Sequence, residues 1–326
     1  MRPRLSVVAP CFNEEEGLPE FCRLVEEACI TTVGTSFEIV LINDGSRDGT
    51  WNVMSNIAAN KSRVVAINLS RNYGHQIALT AGLHACRGER ILIIDADLQD
   101  PPELLEQMMA LMDEGAEIVY GQRRKREGET LIKSWTAAIF YRLLRKLVDI
   151  DIPLDTGDFR LMSRRALDVL NSMPEQSRFI RGMVSWIGLK QVPLLYDRQA
   201  RFAGSTNYPF SKMLRLAFDA ITGFSIMPLR LASYLGVAMG CASMAMIGYS
   251  LLSWAMGSAV AGWTSMMTMM LLIGSTQFLV LGMFGEYLGR MYMETKRRPL
   301  YVVDSVAGNI AVAPAMSAPQ HRLMAS

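Results

Sequence analysis

The chain has 326 residues, half of them apolar and 20% charged, which sets aside the disordered and collagen-like classes and leaves room for one large or two modest domains. Lys and Arg total 33 against 31 Asp and Glu, a formal net charge of +2 that is too balanced for a dedicated nucleic-acid binder. Cys11, Cys22, Cys29, Cys86 and Cys241 are scattered, with neither a zinc-like spacing nor a secreted disulfide framework, and MRPRLSVVAP lacks the apolar core of a signal peptide, so the front of the chain is expected in the cytosol.

From the N-terminus, apolar runs rich in Val and Ile alternate with helical patterns. Leu5–Pro10, Glu38–Asn43, Arg63–Leu69, Arg90–Ile94 and Glu117–Tyr120 read as strands. Gly17–Ile30, Asp48–Ala59, His75–Cys86 and Pro102–Glu114 read as the helices between them, the last opened by prolines that need no N–H there. Such alternation predicts an α/β fold, a mostly parallel sheet covered on both faces. Ligands of such sheets bind beyond the carboxyl ends of the strands. The polar motifs fall at that end.

Ile91–Pro102, ILIIDADLQDPP, is a buried strand that runs into Asp95, Asp97, Gln99 and Asp100. Two hard carboxylates so close suit Mg²⁺ or Mn²⁺ bridging a diphosphate. PCFNEE (Pro10–Glu15) follows the first strand and NDGSRDG (Asn43–Gly49) the second, where Gly45 and Gly49 are expected to allow a tight turn and Asp44 to accept hydrogen bonds from a base or ribose. Three acidic or amide-rich loops at strands one, two and four predict a nucleotide-diphosphate crevice. No GxGxxG follows a strand and no GxxxxGK[ST] occurs, which removes dinucleotide and P-loop readings. His75, His84 and His321 form no cluster, and His84 reads as structural.

Further on, Leu131–Val148 has Trp135, Ile139, Leu143 and Leu147 at helical spacing and reads as an amphipathic helix on the sheet. Tyr208–Phe224, with Phe210, Met213, Leu214 and Phe218 beside Lys212 and Arg215, reads as a helix in a membrane interface. From Leu231 to Gly285 no Asp, Glu, Lys, Arg or His occurs. As one helix that stretch would run about 80 Å, against a hydrocarbon core of roughly 30 Å. Two spans near Leu231–Ala255 and Trp263–Leu288, turning at Gly257–Gly262, fit it. Lys212, Arg215 and Arg230 precede the pair and Arg290, Lys296, Arg297 and Arg298 follow it, which predicts both flanks in the cytosol. After about Val306 an Ala/Pro/Ser-rich tail has no apolar period and is expected to be disordered.

Taken together, PCFNEEEGL, LINDGSRDGT, NYGHQIALTAGL and DADLQDPPE resemble family 2 glycosyltransferases of the GT-A fold, over roughly residues 4–300. The likeness is greatest to polyprenyl-phosphate glycosyltransferases, such as the dolichol-phosphate mannose synthases and bacterial glucosyl-carrier enzymes with two C-terminal spans. The resemblance implies a GT-A domain over residues 1–206, an interfacial helix region over 207–228, a transmembrane hairpin over 229–290 and a cytosolic, partly disordered tail over 291–326. It implies that Pro10, Asn13, Glu15 and Asp44 line the nucleoside pocket, and that Asp95, Asp97 and Gln99 hold metal and donor. Asp158 in TGDFRLM would be the catalytic carboxylate, acting as a base or as a positioning group. Arg123 and Arg126 in GQRRKRE, with Arg201 and Lys212 in RFAGSTNYPFSK, would face phosphates. Where that family often writes Ser-Lys-Tyr in the acceptor loop, this chain has Thr206-Asn207-Tyr208, one cation fewer.

The expected activity is inverting transfer of a hexose from a nucleotide sugar, UDP-glucose before GDP-mannose or a UDP-aminosugar, to polyprenyl phosphate at the cytosolic face of the cell membrane. A processive polysaccharide synthase would carry a QxxRW-type motif and more spans. A non-catalytic scaffold would not need Asp95, Asp97, Gln99 and Asp158 intact, and a transporter would need an intramembrane ionisable group. Gly and Ser in the spans allow close packing between protomers, as in a homo-oligomer.

Overall fold

A computed structural model of the chain describes residues 2–124, 156–197, 227–256 and 262–308. The predicted helices at Leu131–Val148 and Tyr208–Phe224 and the tail beyond 308 lie outside the described residues, as do Arg126, Arg201 and Lys212. The described residues fall into two units, one built from the N-terminal part of the chain together with the segment from Arg298, the other containing two long helices.

The first unit is an eight-stranded sheet. Its strands are β1 (Leu5–Cys11), β2 (Phe37–Asn43), β3 (Val64–Leu69), β4 (Arg90–Ile93), β5 (Ile118–Arg123), β6 (Thr156–Ser163), β7 (Gln191–Tyr196) and β8 (Val303–Gly308). They lie in the order β7-β5-β6-β4-β1-β2-β3-β8. β1 pairs in parallel with β2 and β4, β2 with β3, and β5 with β7. The predicted mostly parallel sheet is therefore present, with β6 antiparallel to β4 and β5, and β8 antiparallel to β3. Every residue of β1 and β2 is buried, as an unbroken apolar run requires when both faces of the sheet are covered.

The helices are α1 (Leu18–Val33), α2 (Thr50–Asn60), α3 (His75–Ala85), α4 (Leu105–Asp113, entered through a 3₁₀ turn at Pro102–Leu104), α5 (Arg164–Ser172) and α6 (Ile180–Ile187). Phe21, Val25, Met54 and Met108 of α1, α2 and α4 share one core with Val7, Ala9, Ile39 and Leu41 of the strands. α3 lies against β1 and β2, where Gly82 meets Val8 and Ile42. α5 starts at a capped end, the Ser163 hydroxyl accepting from the Ala166 N–H at 3.1 Å. The chain leaves β1 toward β2 and β3, then returns to the other side of β1 as β4. That reversal opens a crevice between the carboxyl ends of β1 and β4.

The sequence reading assigns no strand to Val303–Gly308, yet β8 closes the outer edge of the sheet. The Ser70 N–H donates to the Val302 carbonyl at 2.9 Å, and Asn68 Nδ2 donates to Asp304 Oδ2 at 3.0 Å. Tyr301 Oη meets His84 Nδ1 at 3.0 Å, so His84 has the structural role expected of it.

The second unit contains α7 (Met227–Ala255) and α8 (Trp263–Lys296), which pack on each other. Their side chains are described in part, and within the described residues no helix is long and apolar enough to cross a membrane.

Candidate active site

The loop after β1 and the loop after β2 are stitched together by their own polar side chains. Asn13 Oδ1 accepts the Arg47 N–H at 2.9 Å and the Asn13 N–H donates to Ser46 Oγ at 3.0 Å. Glu15 Oε2 accepts the Gly49 N–H at 2.8 Å, and Thr50 Oγ1 accepts the Glu14 N–H at 2.9 Å. Gly45 stands at φ +63, and a Cβ there would lie 2.4 Å from the Arg71 carbonyl carbon, so both conformation and space require glycine. Gly49 differs from expectation. Its φ is −76, open to any residue, and a Cβ there would lie 2.3 Å from the Glu15 carboxylate, which would have to move off the Gly49 N–H.

Between these loops and the start of α3 lies an open cavity of about 210 Å³, lined by Pro10, Cys11, Phe12, Asp44, Asn72, Gly74 and His75. Pro10 and Asp44 thus line it, whereas the side chains of Asn13 and Glu15 shape the loops beside it. Asp44 is buried and takes the Tyr73 N–H at 2.7 Å on one oxygen and the Gly74 N–H at 3.0 Å on the other. Burial pushes its carboxyl up, against those hydrogen bonds.

Deeper in the crevice three elements converge. His75 opens α3, Asp95 follows β4 and Asp158 lies on β6. His75 Nε2 is 3.1 Å from Asp158 Oδ2 and 3.6 Å from Asp95 Oδ1. Asp158 also accepts from Gln76 Nε2 at 2.9 Å, while Arg181 approaches it at 3.4 Å and Arg160 at 3.9 Å. The side chain of Gln76 reaches further, its Oε1 accepting the Ile180 N–H at 2.9 Å and so tying α6 to α3. Burial raises the Asp158 carboxyl, but the His75 hydrogen bond and the charges of Arg181, Arg160 and His75 outweigh it and hold the group well below the usual carboxylate range. Burial lowers the His75 imidazole, but its bond to Asp158 and the charges of Asp95 and Asp158 carry it up to about 9.

Asp95 is pushed up to about 6, first by burial and then, against His75, by Asp158, Asp100 and Asp97. Asp97 Oδ1 accepts the Gln99 N–H at 3.2 Å, a turn in which Leu98 takes φ +60. Leu98 is not a glycine, so that conformation is held by its surroundings. Arg123 ends β5, its side chain outside what is described.

The sequence reading brings Asp95, Asp97 and Gln99 to this end of the sheet, and they are found there; Asp158, assigned by resemblance with no place in the sheet, lies on β6 beside them. It gives His75, Gln76, Arg160 and Arg181 no role; His75 meets no other histidine, in line with that reading, but stands against two aspartates. NYGHQ, opening a helix just past a strand end, was the available signal.

A model of the family described as "Glycosyl transferase family 2" matches residues 6–170. An uncharacterized glycosyltransferase of Bacillus subtilis, YkcC, is 46% identical over 93% of this chain and 94% of its own length. A prophage bactoprenol glucosyl transferase homolog of Escherichia coli is 38% identical over 93% of this chain and 99% of its own. The chain belongs to glycosyl transferase family 2. Of solved structures, a glucosyl-3-phosphoglycerate synthase of Mycobacterium tuberculosis superposes with a TM-score of 0.43 at 22% identity, over 68% of this chain and 78% of that one, too remote to bear on the chemistry.

In this glycosyltransferase the fit of a divalent cation rests on Asp95 and Asp97. Asp95 Oδ1 is buried and has no hydrogen-bond partner among the described residues, an acceptor left for a ligand. Among the described residues no three His, Cys, Asp or Glu side chains gather into a metal cage. Mg²⁺ and Mn²⁺ are commonly held by one or two carboxylates together with substrate phosphates. The residues therefore fit a cation that arrives with a diphosphate.

Proposed function

We propose that this glycosyltransferase moves a hexose from UDP-glucose to polyprenyl phosphate, with inversion at the anomeric carbon, on the cytosolic face of the cell membrane. The observation that carries the reading is the junction of Asp95, His75 and Asp158 beside the Pro10–Asp44 cavity. It sets a diphosphate-type acidic pair next to an ionised carboxylate ringed by donors. The acceptor is supported by the relatives called bactoprenol glucosyl transferases, which match 92–93% of this chain, including the region of both long helices.

The nucleoside occupies the cavity, with Asp44 and Pro10 on its wall, and the diphosphate reaches Asp95 and Asp97. When bound, a divalent cation neutralises charge gathering on the departing diphosphate. An acceptor phosphate oxygen bonds to the anomeric carbon as the bond from that carbon to the diphosphate oxygen breaks, and the electron pair leaves with UDP. A phosphate monoester has a second pKa of about 6, so it arrives largely deprotonated. Asp158, held acidic by its ring of donors, is a poor base; its part is to orient the acceptor and to face the positive charge developing on the sugar.

The membrane location is supported by the uncharged stretch Leu231–Gly285 and by exposed Val237, Met244, Leu252, Phe278 and Leu281 on α7 and α8. Their 29 and 34 residues would extend about 43 and 51 Å, in length alone more than a hydrocarbon core of roughly 30 Å. An isoprenoid tail leaves a bilayer at a cost of about 0.8 kcal/mol per CH₂, so an enzyme for this acceptor has reason to be anchored there.

Membranes containing the protein, given radiolabelled UDP-glucose, should pass label to the organic phase only when polyprenyl phosphate is present. Label entering from GDP-mannose or a UDP-aminosugar instead would reassign the donor. Label entering water-soluble product alone would overturn the acceptor.

A further inference from the structure

The two oxygens of Asp158 serve different neighbours. Oδ2 takes His75 Nε2 at 3.1 Å and Gln76 Nε2 at 2.9 Å, on the side of the nucleoside cavity that His75 lines. Oδ1 faces Arg160 and Arg181. Arg160 is 3% exposed and spends its donors on the Gly157 and Asp158 carbonyls, so it belongs to the wall.

Arg181 differs from Arg160 in both exposure and contact. Its side chain is 30% exposed, and its Nε and Nη2 each stand 3.4 Å from the one oxygen. Charge-assisted N–H···O bonds ordinarily close to about 2.7–2.9 Å. Arg181 is therefore held beside Asp158 without being tightly bonded, and among the described residues its side chain meets no other partner. Asp158 keeps His75, Gln76 and Arg160 without it. The planar guanidinium has five N–H donors in a fork that matches a phosphate. It also offers the compensating charge without which an anion would be repelled by Asp158.

We propose that Arg181 receives the phosphate head of the acceptor, a phosphate monoester on an apolar chain. The proposal rests on the lipid-phosphate reading above and names the residue that recognises the head group. Donor and acceptor then sit on the two sides of Asp158, with the cavity, His75 and Asp95 serving the nucleotide and Arg181 serving the attacking phosphate.

The test uses the full-length protein in membranes, as wild type, Arg181→Gln and Arg181→Lys, with polyprenyl phosphate and UDP-glucose varied separately and UDP binding measured alongside. Loss of a charge-assisted contact should raise the KM for polyprenyl phosphate by about tenfold or more. KM for UDP-glucose and the affinity for UDP should stay within about twofold, a margin of roughly 0.4 kcal/mol. Lysine, lacking the fork, should restore only part of the loss. An acceptor KM unmoved while kcat falls would overturn the proposal and make Arg181 a positioning residue for Asp158. If Arg181→Gln fails to bind UDP, and so to fold, the same division between KM and kcat in Arg181→Lys decides. Wild-type enzyme that never labels the lipid would overturn the acceptor reading and this proposal together, whereas labelling by wild type with an unchanged acceptor KM in the variants overturns this proposal alone.

Discussion

His75 stands between two carboxylates, and its proton is part of what holds them. Its pKa is raised to about 9 from an ordinary value of about 6.5. Its stabilising contribution is therefore complete below about pH 6.5 and is lost as pH rises through about 9. Asp158 has the opposite sign: its depressed pKa gives stability present above about pH 3.9 and lost only in strong acid. The thermal midpoint of metal-free protein should thus fall between about pH 6.5 and 9. His75→Gln should show a smaller decline over that window and a lower midpoint below it, by about 2–4 °C per kcal/mol lost. Parallel curves for the two proteins would remove the assigned proton from His75. At Asp97, replacement by Ala should cut transfer by about 100-fold or more, as loss of several kcal/mol of charge stabilisation implies. EDTA should stop the wild type and added Mn²⁺ or Mg²⁺ restore it, and full transfer by Asp97→Ala in metal-depleted buffer would remove the metal from this pair. Gly45→Ala should destabilise by more than about 1 kcal/mol, since glycine there answers both a positive φ and a backbone contact, and chemical denaturation would read it.

The order of elements explains which parts of the site can be read in a linear sequence. PCFNEE, NDGSRDG and DADLQDPP each follow their own strand, so an unbroken Val/Ile run and the polar residues ending it suffice to put them on one rim. Asp158 and His75 meet across a separation of 83 residues, through β6 running antiparallel beside β4, and no local pattern encodes that meeting. Arg181 reaches the same carboxylate because Gln76 fixes the start of α6, again a contact between distant segments. β8 was hidden for a similar reason. VDSVAG is short and only partly apolar, and its partner β3 lies on the far side of both long helices in sequence. Its role can be tested directly. A chain stopped at Pro299 loses β8 and Tyr301, leaving the β3 edge unpaired and Asn68 and His84 without these partners. Amide exchange in Val64–Leu69 should quicken by about tenfold or more, about 1.4 kcal/mol of lost protection, while α4, packed elsewhere in the unit, changes little. Unchanged exchange in β3 would show that β8 contributes nothing to the edge.

At the scale of the whole chain, the return of β8 constrains how the proposed membrane segment is threaded. The first unit includes residues before α7 and the segment from Arg298 onward, and β8 is hydrogen-bonded into its sheet. A folded sheet cannot be shared across a bilayer, so the chain between must cross an even number of times or not at all. The cationic flanks of the uncharged stretch favour two crossings with both ends in the cytosol. Two crossings predict a labelling pattern. The described cysteines Cys11, Cys22, Cys29 and Cys86 are buried, and Cys241 is exposed. On a Cys241→Ser background, Ser258→Cys in the expected turn should react with a membrane-impermeant maleimide applied to intact cells. Ser305→Cys in β8 should react only after the membrane is opened. Labelling of Ser305→Cys in intact cells would contradict the cytosolic assignment. Ser258→Cys that reacts only after opening would mean that the helices lie along the membrane or away from it, and the anchoring of the acceptor would then need another element.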